Sequence, residues 1–394
     1  MLTSLALIFL LGMALGWVFK KFKLPNLLGM IIAGMLLGPF GFNLLDNSIL
    51  AVSADLRKMA LIIILTRAGL SLDINDLKKV GRPAVLMCFL PACFEMLGMI
   101  IIAPKFLGVS ILDAAIMGAV VGAVSPAVVI PKMLHLIENT YGTDKSIPQM
   151  IMAGASVDDV FVIVMFSAFV GLAQGEGFSP VDFLQIPVSI IIGLLAGALL
   201  GVGSAYAFKK VNVRASAKVI IVLSISFLLM AFESWAENII PFSGLLAVMS
   251  LSAILQKNNR AVAAQLSSKF SKLWVGAEIM LFVLVGATVD LKYAADAGVA
   301  AVIVILIVLV FRIVGVFICM WKTKLNFKEK VFCMIAYIPK ATVQAAIGSI
   351  PLSLGLGCGN IVLTVAVLAI LITAPLGALG MDITYKRLLT KENH

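Results

Sequence analysis

The sequence is dominated by long apolar runs, and their length restricts the folds that the chain can adopt. About 20 consecutive apolar residues in a helix cross the hydrocarbon core of a bilayer. Charged residues make up only 13% of the chain, whereas soluble domains carry about 25%. The sequence therefore predicts an all-α polytopic membrane protein with about thirteen transmembrane helices and little chain left for a soluble domain. The predicted spans lie at about residues 3–19, 25–38, 49–70, 83–103, 112–134, 149–173, 184–208, 217–237, 241–256, 273–289, 299–321, 331–352 and 360–381.

Positive charge alternates along the connections between these spans. The connections that follow even-numbered spans contain only Lys105 and Lys292, and most of the other basic residues lie in the odd-numbered connections and the tail. Because basic residues favour the cytoplasmic side, we predict a multi-pass protein of the cell (inner) membrane, with the N-terminus outside and the C-terminus in the cytoplasm. The net charge of +10 follows from this topology, and its scatter over many connections argues against nucleic-acid binding.

The cysteines and histidines give no sign of a metal centre or a cofactor. The five cysteines have no CxxC spacing and lie in apolar runs or a Gly-rich turn, and two histidines are too few for a histidine-based metal site. We therefore expect no cofactor, no structural metal and no disulfide.

Two adjacent aspartates, Asp158 and Asp159, lie in the middle of the apolar run at 149–173. A carboxylate near the bilayer centre costs roughly 2.5–3.5 kcal/mol on insertion scales, so it is a functional candidate by default. Neighbouring helix residues point about 100° apart, which lets both carboxylates line one polar cavity. A carboxylate removed from water favours its protonated form, and a hard alkali cation seeks charged oxygens. The pair is therefore predicted to bind a proton or a cation, the minimal chemistry of an antiporter.

Matching residues recur along the chain at an offset of 216 or 217 positions. The matches are Asp73 with Asp290, Pro25 with Pro241, Glu95 with Arg312, and Ser125-Pro126 with Thr342-Val343. Each span then repeats seven spans later, and because seven is odd the second copy is inverted in the membrane. Inverted repeats are typical of transporters, with the binding site at their interface. We predict a first six-helix repeat at 1–173, a linker span within 174–216 and a second six-helix repeat at 217–394.

Two spans at equivalent repeat positions contain helix-breaking residues. Ser125-Pro126 lies inside the fifth span. Pro339, Gly348 and Pro351 interrupt the twelfth, which also carries the polar residues Lys340, Thr342 and Gln344. Proline removes a backbone donor and clashes with the preceding turn. Such paired interruptions predict two discontinuous helices at a binding site. We expect freed backbone carbonyls or Ser125 to join Asp158 and Asp159 around the ion, and Lys340 to neutralise the freed carbonyl ends.

Glu95 and Arg312 are the other deep charges, in the fourth and eleventh spans. Their opposite signs at equivalent repeat positions predict a structural or gating ion pair across the pseudo-symmetry axis. Direct coordination of an ion by Glu95 remains an alternative.

Three motifs resemble the cation:proton antiporter superfamily, and most closely its NHA-type sodium/proton antiporters. They are VSPAVVIP at 124–131, SVDDV at 156–160 and IPKATVQAAIG at 338–348. The resemblance implies two crossed discontinuous helices in a core domain of spans 3–6 and 10–13. It also implies a dimerisation domain of spans 1, 2, 8 and 9 with linker span 7, a homodimer, and elevator-like alternating access.

The same resemblance implies exchange of Na+ or Li+ for protons, with Asp159 as the principal carrier and Asp158 assisting. Arg312 occupies the place where other branches carry a lysine, and the pairing with Glu95 is similar to electroneutral members. The eukaryotic members carry long terminal extensions, which this sequence lacks, so the resemblance favours a bacterial member without a regulatory domain.

Other functions fit the residues less well. A K+/H+ antiporter and a sodium-coupled solute symporter remain open, because carboxylates alone do not identify the ion. An intramembrane aspartyl protease needs aspartates from two helices, whereas Asp158 and Asp159 are consecutive. A voltage-gated channel would need arginines at every third residue. We therefore expect a transporter and not an enzyme.

Overall fold

A computed structural model of the protein describes residues 1–22, 24–71, 81–175, 180–211, 214–236, 240–289 and 291–392. Helices account for the regular structure of these residues, apart from an isolated bridge between Tyr141 and Lys391. In chain order they are α1 Leu2–Lys21, α2 Asn26–Leu37, α3 Asn47–Ala51, α4 Ser53–Ser71, α5 Arg82–Met87, α6 Leu90–Leu107, α7 Ile111–Val121, α8 Pro126–Glu138, α9 Ile147–Ala173, α10 Pro180–Lys210, α11 Ala215–Ala236, α12 Gly244–Asn258, α13 Arg260–Ala287, α14 Leu291–Cys319, α15 Phe327–Ala336, α16 Thr342–Ile347, α17 Ile350–Ser353 and α18 Gly359–Leu388. Asp73 and Asp290, which mark predicted span ends, lie outside the described residues.

Long apolar helices dominate this list. Within the described ranges, 9 helical segments are long and apolar enough to cross a membrane, and a shorter apolar helix is formed by Asn26–Leu37. The chain is therefore a multi-pass helical membrane protein, as the sequence predicts. The count of thirteen spans and the inverted repeats stay predictions.

The chain divides into two compact units. The first comprises Met1–Leu56, Asp76–Gln174 and Ile279–His394, and it contains every predicted site residue. In this unit α6 packs along α14, and α9 packs against α7 and α8. The predicted boundaries of the repeats, and of the core and dimerisation domains, stay predictions.

The second unit comprises Arg57–Asn75 and Gly175–Glu278. Its main contact is between α10 and α12, with α11 also packed on α12. Gly197 lies directly over the carbonyl of Ala247, where a Cβ would clash. The absence of a side chain thus lets the two helices approach closely, as small residues do at helix interfaces in membranes.

Two helices of the first unit are interrupted, and their sequences explain where. Ser110 and Asp113 form a capping box that starts α7, which ends before Gly122. Pro126 then starts α8 at its first position, where its missing N–H is tolerated. Asn326 and Glu329 cap the start of α15 in the same way, and residues 337–341 separate it from α16. We call residues 122–125 the first break and residues 337–341 the second break.

The connection between α8 and α9 is tied to two other parts of the first unit. Gly142 N donates to Thr390 O at 2.8 Å, and Glu392 N donates to Thr140 O at 2.9 Å. Lys145 Nζ lies 2.8 Å from the fully buried Glu329. These bonds hold the start of α9, the helix that carries the aspartates, against the residues that follow α18 and against the first turn of α15.

Candidate functional site

The two aspartates of α9 are both buried but differ in their partners. Asp158 is 0% exposed, and its Oδ2 accepts a hydrogen bond from Val124 N at 2.8 Å and another from Arg312 Nη2 at 3.0 Å. Asp159 is 4% exposed, and its Oδ1 is buried without a hydrogen-bond partner among the described residues. The Asp158 carboxylate is therefore held in place through its Oδ2, whereas that of Asp159 has no ion-pair partner among the described residues.

Arg312, on α14, connects the acidic groups to both breaks. Its Nη1 donates to Glu95 Oε2 at 2.7 Å and also to the carbonyl of Gly122. Its Nε donates to the carbonyl of Tyr337 at 2.7 Å, and its Cζ lies 5.5 Å from the centre of the Tyr337 ring. A guanidinium can serve such a set of partners because its donors form a rigid planar fork, which the lysine ammonium lacks.

Lys340, in the second break, also binds Glu95. Its Nζ lies 2.7 Å from Glu95 Oε2, the oxygen that also accepts from Arg312. Both cations are about 1% exposed, and Glu95 is 2% exposed. Burying an isolated charge is very costly, so Glu95 and the two cations stabilise one another by pairing.

The two breaks are also bonded to each other. Ser125 N donates to Pro339 O at 2.8 Å. Gln344 Nε2, on α16 just after the second break, donates to Ala123 O at 3.0 Å. Behind the second break, Lys340 N donates to Thr373 Oγ1 on α18 at 3.0 Å. These freed backbone groups of the two breaks thus find partners, as buried polar groups generally do.

Several buried oxygens around the breaks have no hydrogen-bond partner among the described residues. On or beside the aspartate helix and the breaks they are Ser125 Oγ, Gln149 Oε1, Asp158 Oδ1, Asp159 Oδ1, Tyr337 Oη, Thr342 Oγ1 and Gln344 Oε1. Native structures leave few buried polar atoms unsatisfied, and such exceptions call for an explanation. A concentration of oxygens around two carboxylates suits a hard cation.

The structure brings most of the predicted residues together, with two differences from the sequence analysis. Among the described residues Lys340 Nζ bonds Glu95, and it is Arg312 that bonds the carbonyls of Gly122 and Tyr337. The carboxylate is the stronger partner for an ammonium, because charge-assisted hydrogen bonds are roughly twice as strong as neutral ones. The predicted ion pair and the aspartates also form one network, because Arg312 reaches Asp158.

Sequence reasoning missed Tyr337 and Thr373 as members of this site. Tyr337 contributes its carbonyl and its ring to Arg312, and its hydroxyl lies where a Cβ of Gly154 would be. Its position next to the interruption in the twelfth span was the available signal. The functional roles of the predicted residues, including Pro126 and Thr342, stay predictions.

Comparisons with known proteins agree with this architecture. The family model described as sodium/hydrogen exchanger, transmembrane, matches residues 5–385. The chain is 34% identical to human sodium/hydrogen exchanger 9B2 over 384 residues, which cover 94% of this chain and 71% of that protein. It is 31% identical to human sodium/hydrogen exchanger 9B1, over 93% of this chain and 73% of that protein. These relatives are animal proteins, and the bacterial source stays a prediction.

A solved structure shows the same fold. The sodium proton antiporter MjNhaP1 from Methanocaldococcus jannaschii superposes with a TM-score of 0.85 over 98% of each chain, at 19% sequence identity. The family model and the human relatives confirm the predicted resemblance at the level of the family. The chain belongs to the transmembrane sodium/hydrogen exchanger family of cation:proton antiporters.

Proposed function

We propose that the protein is a secondary active antiporter that exchanges Na+ or Li+ for protons, with Asp159 as the carrier of either ion. The observation that carries this proposal is the position of Asp159. It is a buried carboxylate on a membrane helix, and no ion pair reaches it within the described residues. An intramembrane carboxylate of this kind is costly unless it serves a function.

The charges around Asp159 support competition between one cation and one proton. Glu95 and Asp158 are paired with Arg312 and Lys340, so two negative and two positive charges cancel. An ionised Asp159 leaves one surplus negative charge in a buried region. Either a proton or an alkali cation on Asp159 restores neutrality, and both cannot occupy the carboxylate at once. This balance favours exchange of one cation for one proton, without net charge movement.

The finer architecture belongs to the same proposal. We infer about thirteen spans, two inverted repeats and a homodimer in the cell membrane, with the N-terminus outside and alternating access to the Asp158–Asp159 site. Glu95 and Arg312 lie 217 residues apart and contact each other, which supports a pseudo-twofold axis near the pair. The bond between Ser125 N and Pro339 O supports a crossing of the two breaks.

Reconstitution tests the proposed exchange directly. Purified protein is placed in liposomes with a trapped pH dye, a pH gradient is imposed, and Na+, Li+ or K+ is added. We expect Na+ and Li+ to dissipate the gradient with wild type, and Asp159→Asn to abolish the response. The matched control is Asp55→Asn, which makes the same change at an exposed carboxylate and leaves the response intact.

The other outcomes of this assay identify the competing functions. Dissipation by K+ as well would indicate the K+/H+ antiporter, and no response to any cation from folded protein would favour a sodium-coupled symporter. Full-rate exchange by Asp159→Asn would exclude Asp159 as the carrier. An imposed membrane potential should leave the initial rate unchanged if the exchange is one-for-one.

A further inference from the structure

Gln344, on α16, is a buried amide whose two ends differ in their contacts. The side chain is 1% exposed. Its Nε2 donates to Ala123 O at 3.0 Å, whereas its Oε1 is buried without a donor among the described residues. Only the nitrogen of an amide can donate a hydrogen bond. The bond to Ala123 therefore fixes which way the amide points and leaves the oxygen as its free end.

The Gln344 amide and the Asp158 carboxylate bond to the same peptide group of the first break. The peptide bond between Ala123 and Val124 accepts from Gln344 at its carbonyl and donates to Asp158 Oδ2 from its N–H, at 2.8 Å. The next residue, Ser125, is bonded through its N–H to Pro339 O. Gln344 is thus part of the crossing that also positions the aspartate pair.

Two further neutral oxygens that are buried without a hydrogen-bond partner among the described residues lie close to Gln344 and Ala123 in sequence. Thr342 Oγ1 comes two residues before Gln344, and Ser125 Oγ comes two residues after Ala123. Both side chains are 1% exposed, and neither oxygen has a partner among the described residues. Hard cations are bound by several oxygens, of which neutral carbonyls and hydroxyls are common members. A proton needs none of them, because one carboxylate oxygen suffices.

We propose that Gln344 Oε1 is a neutral ligand for the transported alkali cation and contributes to the choice among Li+, Na+ and K+. This inference rests on the proposed cation/proton exchange and adds a residue to its cation-binding side. The bond to Ala123 fixes the direction of the amide oxygen. An oxygen held at a fixed position favours the cation whose radius fits the distance to it. The carboxylates then supply the charge, and the proton uses Asp159 alone.

Two variants distinguish two roles for Gln344, as a ligand of the cation or as a residue that only holds the first break in place. Gln344→Met keeps the length of the side chain and removes both the donor and the oxygen. Gln344→Glu removes the amide donor and keeps the oxygens. A ligand role predicts that the Met variant raises the KM for Na+ by about tenfold, the loss expected for one such contact. It predicts a maximal rate within about twofold of wild type in the Met variant. In the Glu variant, whose new carboxyl adds a charge to the site, it predicts a changed preference among Li+, Na+ and K+.

The assay is exchange in liposomes as a function of Na+, Li+ and K+ concentration, and the stabilisation of the detergent-solubilised protein by Na+ is measured alongside it. Gln265→Met, the same change at an exposed glutamine of α13, is the control and should match wild type. An unchanged KM in Gln344→Met, with exchange still lost in Asp159→Asn, would overturn the ligand role alone. An equal loss of maximal rate in both variants at unchanged KM would show that Gln344 only holds Ala123.

Two more outcomes are decisive. If the Met variant does not fold, the Glu variant decides by itself: a changed preference among the three cations supports the ligand role, and an unchanged preference overturns it. If wild type neither exchanges a cation nor is stabilised by one, the proposed function fails and this inference fails with it.

Discussion

The first and second breaks obtain their hydrogen bonds in different ways. All four residues of the first break use backbone groups, which bond to Arg312, Gln344 and Asp158 of other helices and to Pro339 of the second break. The second break bonds Arg312 and Thr373 through its backbone, and it also carries a charge of its own, Lys340. The first break is therefore held entirely by groups outside it, and the second takes part in holding the site.

This difference shows why the site depends on one residue more than on any other. Arg312 is the only side chain among the described residues that bonds the backbone of both breaks, and it also pairs with two carboxylates. Lys340 shares one of these carboxylates, and Gln344 bonds one carbonyl. Removing Arg312 should affect both breaks at once, whereas other substitutions should affect one break or neither.

The largest effect is expected from Arg312→Met. The change leaves the carbonyls of Gly122 and Tyr337 without their donor and leaves Asp158 without its counter-ion. Removing one member of a buried ion pair typically destabilises by about 3–5 kcal/mol. We expect a large fall in the melting temperature in detergent, or no folded protein at all. Arg312→Lys keeps the charge and loses the planar fork of donors, so its melting temperature should lie between those of Arg312→Met and wild type. A wild-type melting temperature for Arg312→Met would contradict the central role of the guanidinium.

The next largest effect separates the two neighbouring aspartates. Asp158→Asn keeps an oxygen for Val124 N and loses the ion pair with Arg312, so we expect a loss of stability of about 1–3 kcal/mol and strongly reduced exchange. Asp159→Asn removes a buried charge that has no ion-pair partner among the described residues, so its melting temperature should stay equal or rise while exchange is abolished. Thermal unfolding and exchange are measured on the same preparations. A stability loss at Asp159 with none at Asp158 would reverse the assignment of their roles.

Sequence patterns predicted the elements of this site better than its contacts. The helix-breaking residues Pro126 and Pro339 predicted both breaks, since the loss of a backbone donor is a local property. The cost of burying charge predicted that Glu95, Arg312, Asp158 and Asp159 matter. The partners of these residues could not be derived in the same way, because they lie on helices far apart in the chain.

Helix ends were also harder to predict than membrane spans. The span predicted to begin at residue 273 belongs to α13, which begins at Arg260, and the span predicted at 299 belongs to α14, which begins at Leu291. Hydrophobicity locates the part of a helix that lies in the lipid. Backbone hydrogen bonding can continue the same helix into polar surroundings, so apolar runs underestimate helix length.

A smaller effect is expected from Lys340→Met. Glu95 keeps its bond to Arg312, and the backbone bond from residue 340 to Thr373 does not depend on the side chain. Because Glu95 keeps Arg312 as its counter-ion, we expect a smaller loss than the about 3–5 kcal/mol typical of a buried charge left without its partner. Thermal unfolding beside Arg312→Met tests the ranking. If Lys340→Met lost as much stability as Arg312→Met, or more, the second break would be held mainly by its own cation.

The smallest effect on stability is expected from Ser125→Ala. The bond that joins the two breaks here is from the backbone N–H of residue 125 to Pro339 O, and alanine keeps it. The hydroxyl itself has no partner among the described residues and does not cap α8, so its removal should change stability by less than about 0.5 kcal/mol. If the hydroxyl contacts the transported cation, the KM for Na+ should rise while the melting temperature stays constant. A clear fall in melting temperature would instead mean that the hydroxyl supports the crossing, and the first break would then be held by a side chain of its own, as the second is by Lys340.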